Sequence, residues 1–147
     1  MIEDIFTDEY FMKKALQEAQ EAFDKGEIPV GAVIVVDNKV IARTHNLTEL
    51  LHDVTAHAEM QAITSAANFL GGKYLIGCTL YVTLEPCQMC AGALYWSQIS
   101  KIVFGAADTH RGYRVIGTKL HPKTEVVSGI MENECSVLVK DFFKRRR

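Results

Sequence analysis

A histidine, an acid and two cysteines are the residues of this sequence whose types and spacing predict chemistry. They are His57, Glu59 two residues later, and the Cys87-x-x-Cys90 pair that follows Pro86. Imidazole nitrogen and thiolate sulfur are common zinc ligands, and three protein ligands leave the fourth tetrahedral position open to water. Zinc lowers the pKa of such a water from about 16 towards 7. The pattern predicts a hydrolytic zinc site with His57, Cys87 and Cys90 as ligands and Glu59 as general acid and base.

The cysteine pair alone has other interpretations. A C-x-x-C motif also occurs in redox proteins and as half of a structural zinc site. A structural site needs four protein ligands, and the remaining cysteines, Cys78 and Cys135, do not form a second pair. Both are interpreted as buried apolar residues, although either of them with a histidine would complete such a site. A zinc-stabilised binding module without turnover is also open, but it gives no reason for an acid at Glu59.

The order of these residues matches a known signature. H-x-E followed by P-C-x-x-C is typical of zinc deaminases, which remove an exocyclic amino group from a nucleobase. In such a site the acid is not a ligand. Glu59 would take a proton from water, protonate a ring nitrogen and pass a proton to the leaving ammonia. We therefore expect a zinc-dependent hydrolase that acts on a nucleobase.

The elements that would position these residues follow from the apolar pattern. Apolar side chains recur at helical spacing and predict helices over residues 8–25, 55–70, about 131–143, and one starting at Pro86. Short β-branched runs predict strands over residues 31–36, 39–43, 79–84, 101–105 and 125–127, with Asp37-Asn38 as a hairpin turn. Because strands alternate with helices, we expect an α/β fold with a mixed sheet. The length predicts a single domain over residues 1–147.

The sequence resembles the cytidine and deoxycytidylate deaminase superfamily and, within it, the tRNA-specific adenosine deaminases of bacteria. Beyond the zinc-site residues, the resemblance is carried by Asn46 and by segments 27–33, 52–59, 80–87, 89–93, 103–106 and 141–143. It implies a three-layer α/β/α fold with a roughly five-stranded sheet, Zn²⁺ as cofactor, and a homodimer. It also implies hydrolysis of adenosine to inosine at the wobble position of a tRNA. In this family the base pocket would contain Asn46, the Pro29-Val30 turn and the backbone around Ala58.

Segment 107–122 departs from the family pattern. The family usually has a longer loop of small residues before a His-Pro pair, whereas this segment is shorter and more basic. Its cations, together with Lys123 directly after it, are expected to contact phosphates and its tyrosine to stack on a base, unless the loop is only solvated; these residues are Arg111, Tyr113, Arg114, Lys119 and Lys123. The departure leaves open an alternative substrate, a free base or nucleoside such as guanine, cytosine or cytidine.

Charge is unevenly distributed along the chain. Residues 1–100 contain 6 Lys/Arg and 13 Asp/Glu, a balance of −7, whereas residues 101–147 contain 10 and 5, a balance of +5. The split indicates a polyanionic partner that meets the C-terminal third, here the anticodon loop of a tRNA. Lys144, Arg145 and Arg146 are candidate RNA contacts on that basis, although they would also complement the dipole of a final helix.

Composition restricts the class of protein. The chain is 48% hydrophobic and 23% charged, which is too apolar for a disordered chain. The longest apolar runs, such as residues 32–36, are too short to span a bilayer, so no membrane partner is expected. Acidic Glu3 and Asp4 stand where a signal peptide would have basic residues, which predicts a cytoplasmic location.

Overall fold

Five strands form a mixed sheet in the computed structural model, which describes residues 5–146. In chain order they are β1 (Gly31–Val36), β2 (Lys39–His45), β3 (Thr79–Leu84), β4 (Lys101–Ala106) and β5 (Glu125–Ser128). Across the sheet the order is β2-β1-β3-β4-β5. β1 runs antiparallel to β2 and β3, whereas β3, β4 and β5 run parallel. The predicted mixed sheet is confirmed. Glu3 and Asp4 lie outside the described residues.

Helices cover both faces of this sheet. They are α1 (Asp8–Asp24), α2 (Ala58–Leu70), α3 (Gln88–Ser97), the short α4 (Tyr113–Ile116) and α5 (Glu132–Arg145). Side chains alternate along each strand, so β3 sends Leu80 and Val82 to the face under α2 and α3, and Tyr81 to the face under α1 and α5. Both faces are therefore apolar, as expected of a sheet covered on two sides. The three-layer α/β/α arrangement is confirmed.

The hairpin between β1 and β2 has the predicted turn. Asp37 and Asn38 have φ angles of 51° and 62°, the left-handed pair that a two-residue type I′ turn requires and that Asp and Asn tolerate. Strand β2 continues to His45, two residues beyond its predicted end. The loop that leaves it therefore begins at Asn46, next to the start of β1.

The two helices that carry the site residues begin later than predicted. Helix α2 begins at Ala58 and not at residue 55, because the Asp53 carboxylate accepts hydrogen bonds from the amide and hydroxyl of Thr55 and holds it in a turn. Helix α3 begins at Gln88 and not at Pro86, because the amide of Glu85 still donates to Ala106 in the sheet. His57 and Cys87 are thus the residues immediately before the two helices.

The last helix is also shifted. Helix α5 extends to Arg145, two residues beyond its predicted end, and Phe143 is 45% exposed. Cys135 and Phe142 form the buried side of this helix. Among the residues that the structure describes, no helix is both long and apolar enough to cross a membrane.

Helix α1 packs directly against β1 at Gly31. A Cβ atom at this position would overlap backbone atoms of Ala15 and Ala19 in α1. Thr7 fixes the start of the helix, because its hydroxyl accepts a hydrogen bond from the Tyr10 amide at 3.1 Å. The absence of a side chain at Gly31 therefore allows the short distance between α1 and β1.

We expect Gly31→Ala to lower the free energy of unfolding by roughly 1–3 kcal/mol, the usual cost of overpacking a core. Gly72→Ala is the matched control, because a Cβ there meets no atom within 4 Å, and it should change stability by less than about 0.5 kcal/mol. Urea unfolding followed by circular dichroism measures both. Equal effects at the two positions would contradict the close contact.

Candidate active site

The site residues meet where two helices start at one edge of the sheet. Strand β3 ends at Leu84, and Cys87 is the residue before α3. Strand β2 ends at His45 beside the first residue of β1, and its loop returns to His57, the residue before α2. A hydrogen bond of 2.7 Å from the Thr44 hydroxyl to the Ala58 carbonyl ties the start of α2 to β2. The sheet edge thus brings both helix N-termini together.

The three predicted metal ligands are close enough to share one ion. His57 Nδ1 lies 3.7 Å from Cys87 Sγ and 3.5 Å from Cys90 Sγ, and the three ligand atoms all lie within 4.8 Å of one another. Zinc bonds of about 2.0 Å to nitrogen and 2.3 Å to sulfur at a tetrahedral angle require a nitrogen–sulfur separation of about 3.5 Å. The geometry and the donor types therefore fit zinc.

The two thiols differ in acidity. The hydrogen bond from Cys90, followed by that with His57, lowers the pKa of Cys87 to about 4 although burial opposes it. The pKa of Cys90 is raised by its hydrogen bond to Cys87 and by burial. Both thiols lie at the N-terminus of α3, where the helix dipole favours thiolate. Cys90 has to lose its proton when a metal binds, because thiolate is the form that coordinates.

Glu59 lies in the first turn of α2 and lines the same cavity. Its side chain is buried, with 4% of the residue exposed, and this burial raises the pKa of its carboxyl to about 7. A carboxyl group with a pKa near neutrality can both accept and release a proton, as a general acid and base must. The predicted role of Glu59 is chemically consistent with its surroundings.

A cavity of about 150 Å³ opens onto these residues. Val30, Asn46 and Ala58 line it, as the resemblance implied, whereas Pro29 is buried and does not line it. The amide of Asn46 is 3.3 Å from the Ile28 carbonyl, and its oxygen accepts from the Thr48 amide, also at 3.3 Å. Asn46 therefore joins two loops of the cavity wall as well as facing it.

Segment 107–122 corrects one of the predicted RNA contacts. Tyr113 is only 7% exposed and packs edge-on against Phe104, so it is not free to stack on a base and that prediction is wrong. Arg114 donates from Nε and Nη2 to the Glu85 carboxylate at 3.2 and 3.1 Å, but its side chain is 50% exposed, and its contact with RNA stays a prediction. Arg111 is exposed and lines the mouth of the cavity. Lys119 and Lys123 are exposed outside it.

The basic end of α5 lies near the same edge of the molecule. Arg146 donates to the Gly26 carbonyl, two residues before Ile28 in the cavity wall. Its guanidinium covers Phe142 at 4.8 Å, and Arg145 covers the Phe23 ring at 5.2 Å. Lys144 and Arg145 are exposed. Their predicted contact with RNA stays a prediction.

A second group of metal-type side chains lies on the other side of the loop that contains Asn46. It consists of His45, Glu18 and Glu21. His45 Nδ1 is 2.9 Å from Glu18 Oε1, and Lys25 Nζ is 3.2 Å from the other ring nitrogen. Both ring nitrogens therefore have hydrogen-bond partners. His45 is the buried last residue of β2.

Comparison with known proteins assigns this chain to a family. The sequence profile of the cytidine and deoxycytidylate deaminase zinc-binding region matches residues 6–106. The chain belongs to this deaminase family. The zinc cofactor and the deaminase class predicted from His57, Glu59 and the cysteine pair agree with the match.

Individual relatives of the deaminase match over most of its length. It is 47% identical to the tRNA-specific adenosine deaminase of Bacillus subtilis, over 95% of this chain and 91% of that protein. A structure from work on A-to-I editing by tRNA deaminases at the wobble position superposes with a TM-score of 0.83 at 42% identity, covering 88% and 98% of the two chains. The guanine deaminase of Bacillus subtilis superposes with a TM-score of 0.64 at 42% identity, covering 67% and 64%.

Several residues of the deaminase site were not predicted from sequence. Thr48, Glu85 and Asp108 line the cavity. Thr48 follows Asn46 by two residues, Glu85 lies in segment 80–87, and Asp108 lies in segment 107–122. Burial raises the pKa of the Glu85 carboxyl. Hydrogen bonds from the Arg114 side chain and from the Arg114 and Asp108 amides lower it by more than burial raises it, so the pKa lies below its usual value. An acid directly after the apolar run of β3 was the available signal.

We expect Cys90→Ser to lose the bound zinc, because a hydroxyl is a poor replacement for a thiolate ligand. Cys135→Ser is the matched control, since this cysteine is also buried but packs against Gly105 in β4 and does not belong to the predicted zinc ligands. Metal content per chain, measured by inductively coupled plasma mass spectrometry after dialysis, should stay near one in the control. Full zinc content in Cys90→Ser would remove Cys90 from the ligand set.

Proposed function

We propose that this deaminase hydrolyses adenosine to inosine at the wobble position of a tRNA, as a single domain acting in the cytoplasm. The observation that carries the proposal is the 47% identity to a tRNA-specific adenosine deaminase over 95% of this chain. The similarity to a wobble-editing tRNA deaminase structure at a TM-score of 0.83 supports it further. Both relatives are covered almost completely, so the similarity extends to the whole of each catalytic chain.

The residues of the site divide the chemistry between them. His57, Cys87 and Cys90 would hold zinc, which when bound supplies a water of lowered pKa. Glu59 would accept a proton from that water and deliver it to a ring nitrogen of adenine, which makes C6 more electrophilic. The oxygen of that water would bond to C6, and Glu59 would then move the remaining proton of this oxygen to the amino group, so that the C6–N bond breaks, ammonia departs and inosine remains. Its pKa of about 7 suits both directions of transfer.

The size of the cavity supports a single base as the reacting group. Its volume of about 150 Å³ is below the roughly 300–1,000 Å³ typical of pockets for drug-sized ligands. The sugar and phosphates of a nucleotide must then lie outside, across Thr48, Asp108 and Arg111 at the mouth. A loop nucleotide that unstacks and enters base-first fits this arrangement, and unpaired anticodon bases cost the least to unstack.

Exposed cations favour a polyanion over a free base as substrate. Arg111 is exposed at the cavity, and Lys144 and Arg145 are exposed on the last helix, whose end contacts Gly26. Phosphate contacts of this kind make affinity fall steeply with salt. A deaminase of a free base has no phosphate to bind and needs no such cations.

Guanine deamination is the second candidate, because one structural relative with 42% identity over 67% of this chain is a guanine deaminase. The two candidates share the zinc chemistry and differ in what lies beyond the base. We expect inosine formation on an anticodon stem-loop with adenosine at the wobble position, and no ammonia from guanine, cytosine, cytidine or free adenosine under the same conditions. Glu59→Gln should keep its zinc and lose at least ~100-fold in turnover.

The outcome that would overturn the substrate is ammonia release from a free base or nucleoside with no inosine in the stem-loop. A Glu59→Gln protein with near-normal turnover would instead overturn the general acid and base. Liquid chromatography of digested RNA measures inosine, and a coupled assay measures ammonia.

We further propose that the deaminase is a homodimer, as the family resemblance implied, and that the second copy covers an apolar surface beside α3. This surface, here called the Trp96 surface, contains Tyr95, Trp96, Val115 and Ile116. Trp96 is 77% exposed, and Val115 and Ile116 are 58% and 49% exposed. Tyr95 and Trp96 lie side by side on α3, and Val115 and Ile116 belong to α4, which contacts α3. Exposed apolar side chains of this size typically mark an interface with another protein.

We expect Trp96→Asp to convert the dimer to a monomer, because the carboxylate would be buried without a partner. Val137→Asp is the control, since Val137 is 54% exposed on α5, on the opposite face of the sheet. Sedimentation velocity at micromolar concentration measures both masses. A wild-type protein that sediments as a monomer would overturn the dimer, and an unchanged dimer in Trp96→Asp would move the interface elsewhere.

A further inference from the structure

Glu85 is a buried carboxylate for which the proposed chemistry has no use. Its side chain is 2% exposed, and it lies two residues before Cys87, in the wall of the cavity. A buried carboxylate is costly unless it is paired and hydrogen-bonded. The question is what this residue holds in place.

Four donors of segment 107–117 converge on the Glu85 carboxylate. Oε1 accepts from the Asp108 amide at 3.1 Å and from Arg114 Nη2 at 3.1 Å. Oε2 accepts from the Arg114 amide at 3.1 Å and from Arg114 Nε at 3.2 Å. Two of these donors are backbone amides, so the carboxylate fixes the path of the segment and not only one side chain. We call this set of contacts the Glu85–Arg114 clamp.

The residues around the clamp leave it little freedom. Gly112 passes so close that a Cβ would overlap the Glu85 carboxyl group. The Tyr113 amide donates to the Pro86 carbonyl at 2.9 Å. The Arg114 guanidinium also lies over the Phe104 ring at 4.9 Å, which shields one of its faces. The segment is therefore joined to the end of β3, directly beside the first cysteine of the metal site.

The part of the segment that the clamp encloses faces the cavity. Asp108 and Arg111 both line it. The Asp108 carboxylate accepts hydrogen bonds from the amides of His110 and Arg111 at 3.1 and 2.9 Å, which turns the chain so that Arg111 stands at the mouth. In the described part of the chain, Arg111 has no acidic partner within ion-pair distance. Its guanidinium is left for a ligand.

We propose that Glu85 and Arg114 are positioning residues that hold Arg111 at the cavity mouth, where it contacts a phosphate beside the reacting nucleotide. The proposal rests on the proposed function only for the choice of an RNA substrate. Among the described residues, no hydrogen bond joins the side chain of Glu85 or Arg114 to the metal-binding atoms of His57, Cys87 or Cys90. They act through the backbone of residues 108–114, which is fixed at one end by Asp108 and at the other by Arg114.

The clamp is tested with Glu85→Gln, Arg114→Met and the double variant. In Glu85→Gln an amide NH₂ group faces donors, so the contact is lost with almost no change of volume. We expect each single variant to lower kcat/KM on the stem-loop by about 10–100-fold, mainly through KM, because a positioning contact to a non-reacting part of the substrate is lost. The double variant should be no worse than the singles, since both break one interaction.

Lys101→Met is the matched control for loss of a partly buried cation. Lys101 lies 3.8 Å from Asp8 and 3.5 Å from Glu125, at the opposite end of β4. It should lose stability without any change of KM. Zinc content and melting temperature are measured for every variant. Hydrogen exchange provides a readout that does not depend on activity: the Asp108 and Arg114 amides should exchange faster in Glu85→Gln, including when turnover is too low to measure.

The phosphate contact is tested with Arg111→Gln. The control is Lys39→Gln, which replaces an exposed lysine at the start of β2, directly after the hairpin turn. Arg111→Gln should raise KM on the stem-loop and reduce the slope of log affinity against log salt by about one, the value expected for one lost phosphate contact. Lys39→Gln should change neither. An unchanged KM and salt slope in Arg111→Gln would overturn the phosphate contact.

The proposal as a whole is overturned if folded, zinc-loaded Glu85→Gln and Arg114→Met keep wild-type KM and wild-type exchange of both amides. A loss of zinc that accounts for the whole loss of activity would overturn it as well, because the clamp would then serve the metal site. If the wild-type protein deaminates guanine and not the stem-loop, the proposed function fails separately. In that case an unchanged KM for guanine in Arg111→Gln is expected and the phosphate contact is also excluded.

Discussion

The whole site depends on the meeting of two helix N-termini at one edge of the sheet. His57 and Cys87 stand immediately before α2 and α3, each in extended backbone conformation with ψ angles of 155° and 176°. In this position a side chain leans over the helix end and is not part of the helical surface, so an imidazole and a thiol from different helices can point at one place. The positive ends of both helices face the same point and favour the thiolates that a metal requires. The mixed sheet makes the meeting possible, because the parallel strand β3 ends where the antiparallel β1 begins.

Much of this could be predicted from sequence because the information is local. The near-continuous apolar runs of β1, β3 and β4 identify strands that are buried on both faces, and the turn residues Asp37 and Asn38 identify the hairpin. The histidine, the acid and the cysteine pair carry their chemistry in their types and spacing. The exact starts of α2 and α3 could not be predicted as well. Hydrogen bonds from the Thr55 amide to the Asp53 carboxylate and from the Glu85 amide to the Ala106 carbonyl compete with helix formation there. These bonds depend on neighbours that a periodicity does not represent.

Segment 107–122 was the part that sequence described worst, and the reason is long-range pairing. A tyrosine and two arginines in a polar stretch look like a surface for nucleic acid. Tyr113 is instead buried against Phe104, and Arg114 is bound to a carboxylate 29 residues earlier in the chain. Only Arg111 is left facing the cavity. Which of two neighbouring arginines faces substrate was decided by the position of Glu85 in the fold, and no local pattern contains that position.

Three buried glutamates around the cavity have different roles because they have different donors. Glu27 is 2% exposed and accepts the amides of Glu49 and Leu50 at 3.0 and 2.8 Å, so it holds the loop on the Asn46 side. Glu85 receives two amides and a guanidinium and holds the opposite wall. Glu59 has no Arg or Lys within ion-pair distance among the described residues, and burial raises its pKa to about 7. Glu85, whose hydrogen-bond donors lower its pKa, stays an anion and positions its neighbours, whereas a carboxyl group with a pKa near 7 can exchange a proton. The same side chain thus serves as anchor or acid according to the hydrogen-bond donors that the fold directs at it.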